Sequence, residues 1–345
     1  MATVAESAEL GVWARWMQRP RNTFLRRALF QIHLWLGIAF GLYIFVVSVT
    51  GSAIVFRNEM YAYFGQRPSV VATGEKLSNE ALGVAARAAH PGYAIAYTFP
   101  SRRPTDVTEV WMNNDKGDQI QRLFNPYTGE DIGRSVSRWI VTVKWLGDLH
   151  TDLLGHDTGR KINGVGSILL TLLTVSGLII WWPGVRQWKR NLGVDFRANW
   201  KRLNWDLHNA IGFWTFLLVF MWGFTGVYLV WPAPFQEIVN RVTPLELYKP
   251  LSQVEEPSQR ATYVAAQITP AEDAPRPRRR RPPPRGTKGD QFLRWFYYLH
   301  FGNFAGAKTK GAWVALGLIP PLLFVTGTIM WWNRVVRRWR GLSPD

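Results

Sequence analysis

The chain has 345 residues, 47% of them hydrophobic, a formal net charge of +17 and no cysteine. Without cysteine there are no iron–sulfur clusters, no covalently attached c-type haem and no disulfides, so any redox centre is held by histidine or is dissociable. The positive charge is not a nucleic-acid signal, because most of it flanks long uncharged segments, where it faces anionic lipid.

Residues 1–27 form a basic, partly amphipathic arm carrying Arg15, Arg19, Arg21, Arg26 and Arg27. Ala28–Phe56 has no charged side chain, which exceeds the roughly 20 apolar residues that cross a ~30 Å hydrocarbon core, and residues 28–56 are expected to be an uncleaved first span. Residues 57–136 read as a small α+β domain. A Ser-capped helix is expected over Ser78–His90, stopped by Pro91-Gly92, and period-two alternation predicts strands at Tyr93–Phe99, Val107–Asn113 and around Gln119–Phe124. Asn125-Pro126-Tyr127-Thr128-Gly129 closes that unit.

Residues 137–161 are expected to be a Trp-rich amphipathic helix bearing His150, followed by a polar connection from Gly155 to Lys161. A second span (162–185), a basic loop (186–206) and a third span (207–232) follow. The second long loop, 233–310, holds a helix remnant around Ser258–Ala266 and a low-complexity stretch, Pro275–Pro284, expected to be disordered. That stretch lies within an arginine-rich run, Arg276, Arg278–Arg281 and Arg285. Gln291–His300 is again aromatic and amphipathic, and a fourth span (311–333) leads to a basic tail, 334–345. Arginine and lysine next to the span ends place the arm, the 186–206 loop and the tail on one side, assigned to the cytoplasm, with both long loops outside.

Two offsets relate the halves of the chain. Adding 175 carries His33 to His208, Gly37 to Gly212 and Thr50-Gly51 to Thr225-Gly226. Adding 150 carries Leu149-His150 to Leu299-His300, Gly177 to Gly327 and Trp181-Trp182 to Trp331-Trp332. The expected architecture is therefore an all-α integral membrane protein of four transmembrane helices in a tandem two-fold repeat, with a small α+β domain outside the membrane.

Histidine in or beside a span is costly enough to be read as functional. A pseudo-two-fold brings equivalent positions together, so His33 with His208, and His150 with His300, can each supply two axial imidazoles to one b-type haem. Gly37 and Gly212, one turn after their histidines, leave room for a flat macrocycle, with close helix packing as the other reading of both. Asp148, Asp152 and Asp206 are placed to orient an imidazole through its second nitrogen. Thr50-Gly51, Ser176-Gly177, Thr225-Gly226 and Thr326-Gly327 are assigned mainly to helix packing. His90 and His156 have no histidine partner under the offsets and are read as surface residues, His156 with a minor reading as an alternative outer ligand. A closed zinc or copper site fits less well, since neither end has a carboxylate or thiolate cluster.

The blocks His33-Leu-Trp-x-Gly37 and Leu149-His150, the paired tryptophans ending spans two and four, and the Asn125–Gly129 turn together resemble the PepSY-associated transmembrane family over roughly residues 25–340. The arginine- and proline-rich second loop departs from its pattern. The resemblance implies a bacterial inner-membrane protein of iron uptake with a PepSY-like periplasmic domain. It also implies a di-haem reductase that converts a ferric siderophore to the ferrous state in the periplasm. No glycine-rich dinucleotide loop is present, so the electron donor is expected to be a quinol or a cytoplasmic flavoprotein. Two rivals stand beside this reading. One is a non-catalytic regulatory or sensor module, which would be colourless, and the other is a metal or siderophore transporter.

Overall fold

The computed structural model describes residues 12–18, 20, 23–65, 67–101, 103–248 and 286–336. The expected helix around 258–266 and the arginine run from 276 to 285 lie outside them. Helices α1 (Val12–Gln18), α2 (Phe24–Ala53), α3 (Arg57–Phe64) and α4 (Asn79–Ala89) are followed by strands β1 (Tyr93–Phe99), β2 (Thr108–Asn114), β3 (Gln119–Phe124) and β4 (Asp131–Arg134). Then come α5 (Arg138–Asp152), α6 (His156–Trp181), α7 (Trp200–Val230), α8 (Pro232–Val242), α9 (Lys288–Phe301), α10 (Ala307–Leu316) and α11 (Ile319–Trp331). The chain divides into two compact units, residues 1–55 with 146–345, and residues 56–145.

In the first unit four helical stretches are long and apolar enough to cross a membrane: α2, α6, α7 and the continuous run Ala307–Val335. On α2 the exposed Trp35, Leu42 and Val49 recur every seven residues and form one apolar stripe, while Gly41, Ile44 and Thr50 are buried on another face. Small residues let the helices approach closely, with Gly41 lying under the Phe324 ring and Gly166 under Tyr43. Helix α2 packs on α6 and α11, and α7 packs on the same two helices. The four therefore close into a ring in which α2 and α7 stand diagonally opposite.

Three boundaries differ from the sequence reading. The polar stretch 156–161 is not a connection but the first turns of α6, stabilised by the Asp157–Lys161 ion pair at 2.6 Å, one turn apart. Its Gly159 sits directly against the Asp152 carbonyl, where no Cβ fits, and the reversal is made by left-handed backbone at Leu153, Leu154 and His156. The fourth span is not one uniform α-helix. It changes at Gly317-Leu318, where Pro320-Pro321 open α11, since a proline nitrogen cannot donate to the preceding turn. Finally, Pro232 does not merely end span three; it occupies the first turn of the amphipathic helix α8.

Near α8, Asp290 is fully buried. Its carboxylate accepts from the amides of Glu246, Leu247, Tyr248 and Thr287 and from the Thr287 hydroxyl, closing a capping box at the start of α9. One side chain thereby pins residues 246–248 to a helix terminus.

In the second unit the four strands form an antiparallel meander in the order β1-β2-β3-β4. The fourth strand is one more than expected, because the chain after the Asn125–Gly129 turn re-pairs with β3 for only four residues, too short for alternation to mark it. Helix α4 is capped by the Ser78 hydroxyl, which accepts from the Ala81 amide. Its Leu82 and Ala86 pack on Val110, Met112 and Phe124 of the sheet to make the core of the unit.

Candidate functional site

His33 on α2 and His208 on α7 come from diagonally opposite helices. The two remaining spans hold their rings. His33 Nδ1 is 3.1 Å from the Leu173 carbonyl and 3.1 Å from the Ser176 hydroxyl on α6. His208 Nδ1 is 2.9 Å from the Thr326 hydroxyl on α11. At the other end, His150 on α5 places Nδ1 2.8 Å from the Val47 carbonyl on α2, and His300 on α9 places Nδ1 2.8 Å from the Thr225 hydroxyl on α7.

These contacts assign the tautomer. A carbonyl only accepts, so the Nδ1 of His33 and of His150 donates. The hydroxyls of Ser176, Thr225 and Thr326 already donate to the carbonyls of Leu173, Met221 and Leu322, at 3.0, 2.7 and 2.9 Å. Each is left to accept from an imidazole N–H. All four rings thus carry the proton on Nδ1 and keep the lone pair of Nε2, which is the nitrogen that binds a metal.

The residue after each hydroxyl is glycine, and it lies beside the same imidazole. A Cβ at Gly51 would stand 2.7 Å from His150 Cε1, at Gly177 3.0 Å from His33 Cε1, at Gly327 3.4 Å from His208 Cε1 and at Gly226 4.0 Å from His300 Cε1. The Ser/Thr-Gly pairs are therefore imidazole clasps. The hydroxyl, or the carbonyl three residues before it, takes the ring N–H, and at Gly51, Gly177 and Gly327 the glycine lets the ring lie against the helix, whereas a Cβ at Gly226 would first meet Ser167 at 2.6 Å. Sequence reasoning sees these pairs and their repetition but assigns them to packing; their recurrence beside four histidines is the signal that points to this role.

The spacing of the His150 and His300 rings fits two-sided ligation of a flat metal complex. The ring centroids of His150 and His300 are 6.3 Å apart. Two imidazoles bound to one ion from opposite sides, each through a nitrogen ~2 Å away, put their centroids about 6–6.5 Å apart. Gly37 has no neighbouring atom within 4 Å of its Cβ position, and Gly212 meets only Leu323 at 3.8 Å, so neither glycine is explained by tight packing and both leave open space one turn from a histidine. Among the described residues no group of three or more histidine, aspartate or glutamate side chains gathers as a metal cluster.

The expected role of the aspartates is filled otherwise. Asp206 is buried and pairs with Arg202 at 2.8 Å, and Asp152 accepts from the Leu154 amide, while hydroxyls and carbonyls hold the imidazole N–H groups that Asp148, Asp152 and Asp206 were placed to hold. His156 is exposed as the first residue of α6. His90 is not a bare surface residue: it bonds Asp131 at 2.6 Å, and Asp131 also takes the Arg122 guanidinium at 2.7 Å. Burial works to raise the Asp131 carboxyl, but hydrogen bonds from Arg122, His90 and the Gly133 amide outweigh it and hold the group below the usual carboxylate range.

A buried amide ties the His150 end together. Asn163 on α6 donates to the carbonyls of His150 and Thr151 at 2.7 and 3.0 Å and accepts from the Tyr43 hydroxyl. Trp313, which stands 150 residues after Asn163, donates its indole N–H to the Leu299 carbonyl at 2.8 Å.

Four membrane-length helices with a small antiparallel sheet define a multi-pass membrane protein. The chain belongs to the family described as the PepSY-associated TM region, whose model matches residues 30–334. No curated protein matches the chain.

Proposed function

We propose that this protein is an inner-membrane electron conduit that reduces a ferric siderophore on the periplasmic side, with two b-type haems held by His33 with His208 and by His150 with His300. The observation that carries this reading is the set of four clasped imidazoles, each held through Nδ1, with the His150 and His300 rings 6.3 Å apart between centroids. When bound, each haem supplies a one-electron Fe(III)/Fe(II) couple. The chain's part is placement. His33 and the Val47 carbonyl that holds His150 are fourteen residues apart on one helix. That separates the two ligand levels by about 20 Å in a ~30 Å hydrocarbon core. The surrounding helices exclude water and fix ring orientation, so little rearrangement accompanies a change of charge.

In this reading the chain is a tandem duplication, both termini are cytoplasmic, and the 56–145 unit is a PepSY-like domain in the periplasm. A quinol or a cytoplasmic flavoprotein delivers electrons to the His33/His208 end. One electron converts the siderophore-bound Fe(III) to Fe(II), which hard oxygen donors hold far less well, and the iron is released.

A reduced-minus-oxidised visible spectrum of the detergent-purified protein, with haem counted per chain, tests the reading. Two b-type haems, reoxidised by an added ferric siderophore, are expected, and His33→Ala and His300→Ala should each remove one. A colourless protein after expression with ample iron and haem precursor refutes the proposal and favours a regulatory module.

A further inference from the structure

Helix α6 ends in Trp181, and Trp182 and Pro183 follow it. Tryptophan at a span end ordinarily lays its ring in the interface and turns its N–H toward water or headgroups. These two do otherwise. Trp181 is 8% exposed, and the Nε1 atoms of both are buried with no hydrogen-bond partner among the described residues. A buried indole N–H normally meets an acceptor, because one left unmet has lost its hydration for nothing.

A cavity of about 450 Å³ adjoins them, within the roughly 300–1,000 Å³ of small-molecule sites. Leu178, Trp181 and Trp182 line it together with Trp16 of α1, Phe213 of α7 and Trp188 of a short 3₁₀ turn, Trp188–Leu192. Its walls are fixed by contacts of their own. Phe213 stacks on Trp181 with ring centroids 4.1 Å apart, the Asn191 amide donates to the Trp181 carbonyl at 3.4 Å, and the Trp214 indole donates to the Leu192 carbonyl at 3.0 Å. The Val185 amide donates to the Met17 carbonyl at 3.0 Å and so ties α1 to the end of α6. Trp181 stands four residues beyond Gly177 on the same face of α6, and a Cβ at Gly177 would lie 3.0 Å from the His33 ring. The cavity therefore begins one helical turn, about 6 Å, beyond the residue that His33 lies against.

The chemistry of the lining selects the occupant. None of the described residues that line the cavity is charged, so the phosphate of a flavin nucleotide would find no cation there. A lipid acyl chain fits the apolar walls but brings no acceptor for the indoles. An uncharged flat ring that carries oxygen atoms and dissolves in the bilayer satisfies both. We propose that the cavity binds the ring of an isoprenoid quinol, whose oxygens accept from the indole N–H groups of Trp181 and Trp182 while its tail lies in lipid. The proposal rests on the haem reading and names the electron donor for it. Oxidation of one quinol to quinone breaks two O–H bonds and yields two electrons and two protons. The electrons leave singly for the ferric haem of the His33/His208 end, so one quinol serves two ferric chelates, and the protons pass to water on the cytoplasmic side.

The test photolyses a decyl-tailed azidoquinone with the holoprotein in mixed phospholipid micelles and maps the labelled peptides by mass spectrometry, with haem counted per chain. Label should concentrate within 178–188 and at 213–214, and be displaced by excess decylubiquinone but not by added phospholipid. Trp181→Phe and Trp182→Phe each keep an aromatic wall and remove one N–H. The quinone concentration for half-maximal labelling should rise about fivefold in each, with haem content unchanged. Leu178→Trp fills the cavity and should abolish the label, and unchanged haem content and melting establish that it folds. Two haems per chain with label spread over all four spans, displaced equally by phospholipid, or unmoved by the three substitutions overturn the cavity assignment alone. A chain without haem has no acceptor for the electrons, and that result overturns the haem reading and the donor role with it.

Discussion

Replacing Gly51 by alanine brings a methyl group to 2.7 Å from Cε1 of His150, where ordinary contact begins at 3.4 Å. The ring must retreat by about 0.7 Å, because the methyl is fixed to a helix backbone that cannot yield. That movement stretches the 2.8 Å bond from Nδ1 to the Val47 carbonyl beyond hydrogen-bonding range. Losing the bond costs ~1 kcal/mol, and an imidazole forced off its rotamer costs about 1 kcal/mol more, for a sum of ~2 kcal/mol. The same substitution at Gly177 starts at 3.0 Å from His33 and needs about half that retreat, and at Gly327 it starts at 3.4 Å from His208 and needs none. At all three glycines the nearest atoms to the added methyl belong to the imidazole, so the series reads mainly the imidazole contact. Reversible unfolding in mixed micelles should rank the variants Gly51→Ala least stable, then Gly177→Ala, then Gly327→Ala near wild type. A flat or inverted order refutes the clasp as the reason for these glycines and returns them to generic helix packing.

Two further predictions concern carboxylates, one half-buried and one buried. Asp131 has a carboxyl held below its ordinary value, so its contribution to stability is complete above about pH 4 and is lost as pH falls through its lower folded value. Exchange of β3 and β4 amides should accelerate in acid in the wild type, and an acid step that persists unchanged in Asp131→Asn would show that another group causes it. Asp290→Ala removes a buried acceptor of four amides and should cost about 3 kcal/mol. The readout is hydrogen exchange at residues 246–248, and protection there equal to wild type would mean that Asp290 does not hold that segment.

The spans and the sheet are legible in the sequence for different physical reasons. Uncharged windows mark the four membrane-length helices, since an ion in hydrocarbon is expensive. Alternation marks β1 to β3, since one face of each is covered by α4. What lies beyond the sequence is the identity of neighbours. Thr225 and Thr326 each have a ready explanation as small residues at helix contacts, and only the distances to His300 and His208 show that they hold an imidazole. Asp206 lies two residues from His208 in sequence, yet a helix turns residues that close in sequence to different faces, and Asp206 faces Arg202 one turn back. The start of α6 at His156 is hidden because polar residues in a first turn look like a loop when the Gly159 contact with Asp152 is not in view.

The His33/His208 end draws one element from every span: a histidine from α2, a hydroxyl from α6, a histidine from α7 and a hydroxyl from α11. During synthesis the first three of these emerge well before the last, because Thr326 lies in the final membrane-length segment. A nascent chain that has reached Val230 therefore has both imidazoles but lacks the acceptor that fixes His208. Completion of this end is a late event in biogenesis, coupled to insertion of the fourth span, and a chain cut before Ile319 would be a membrane protein with an unfinished centre.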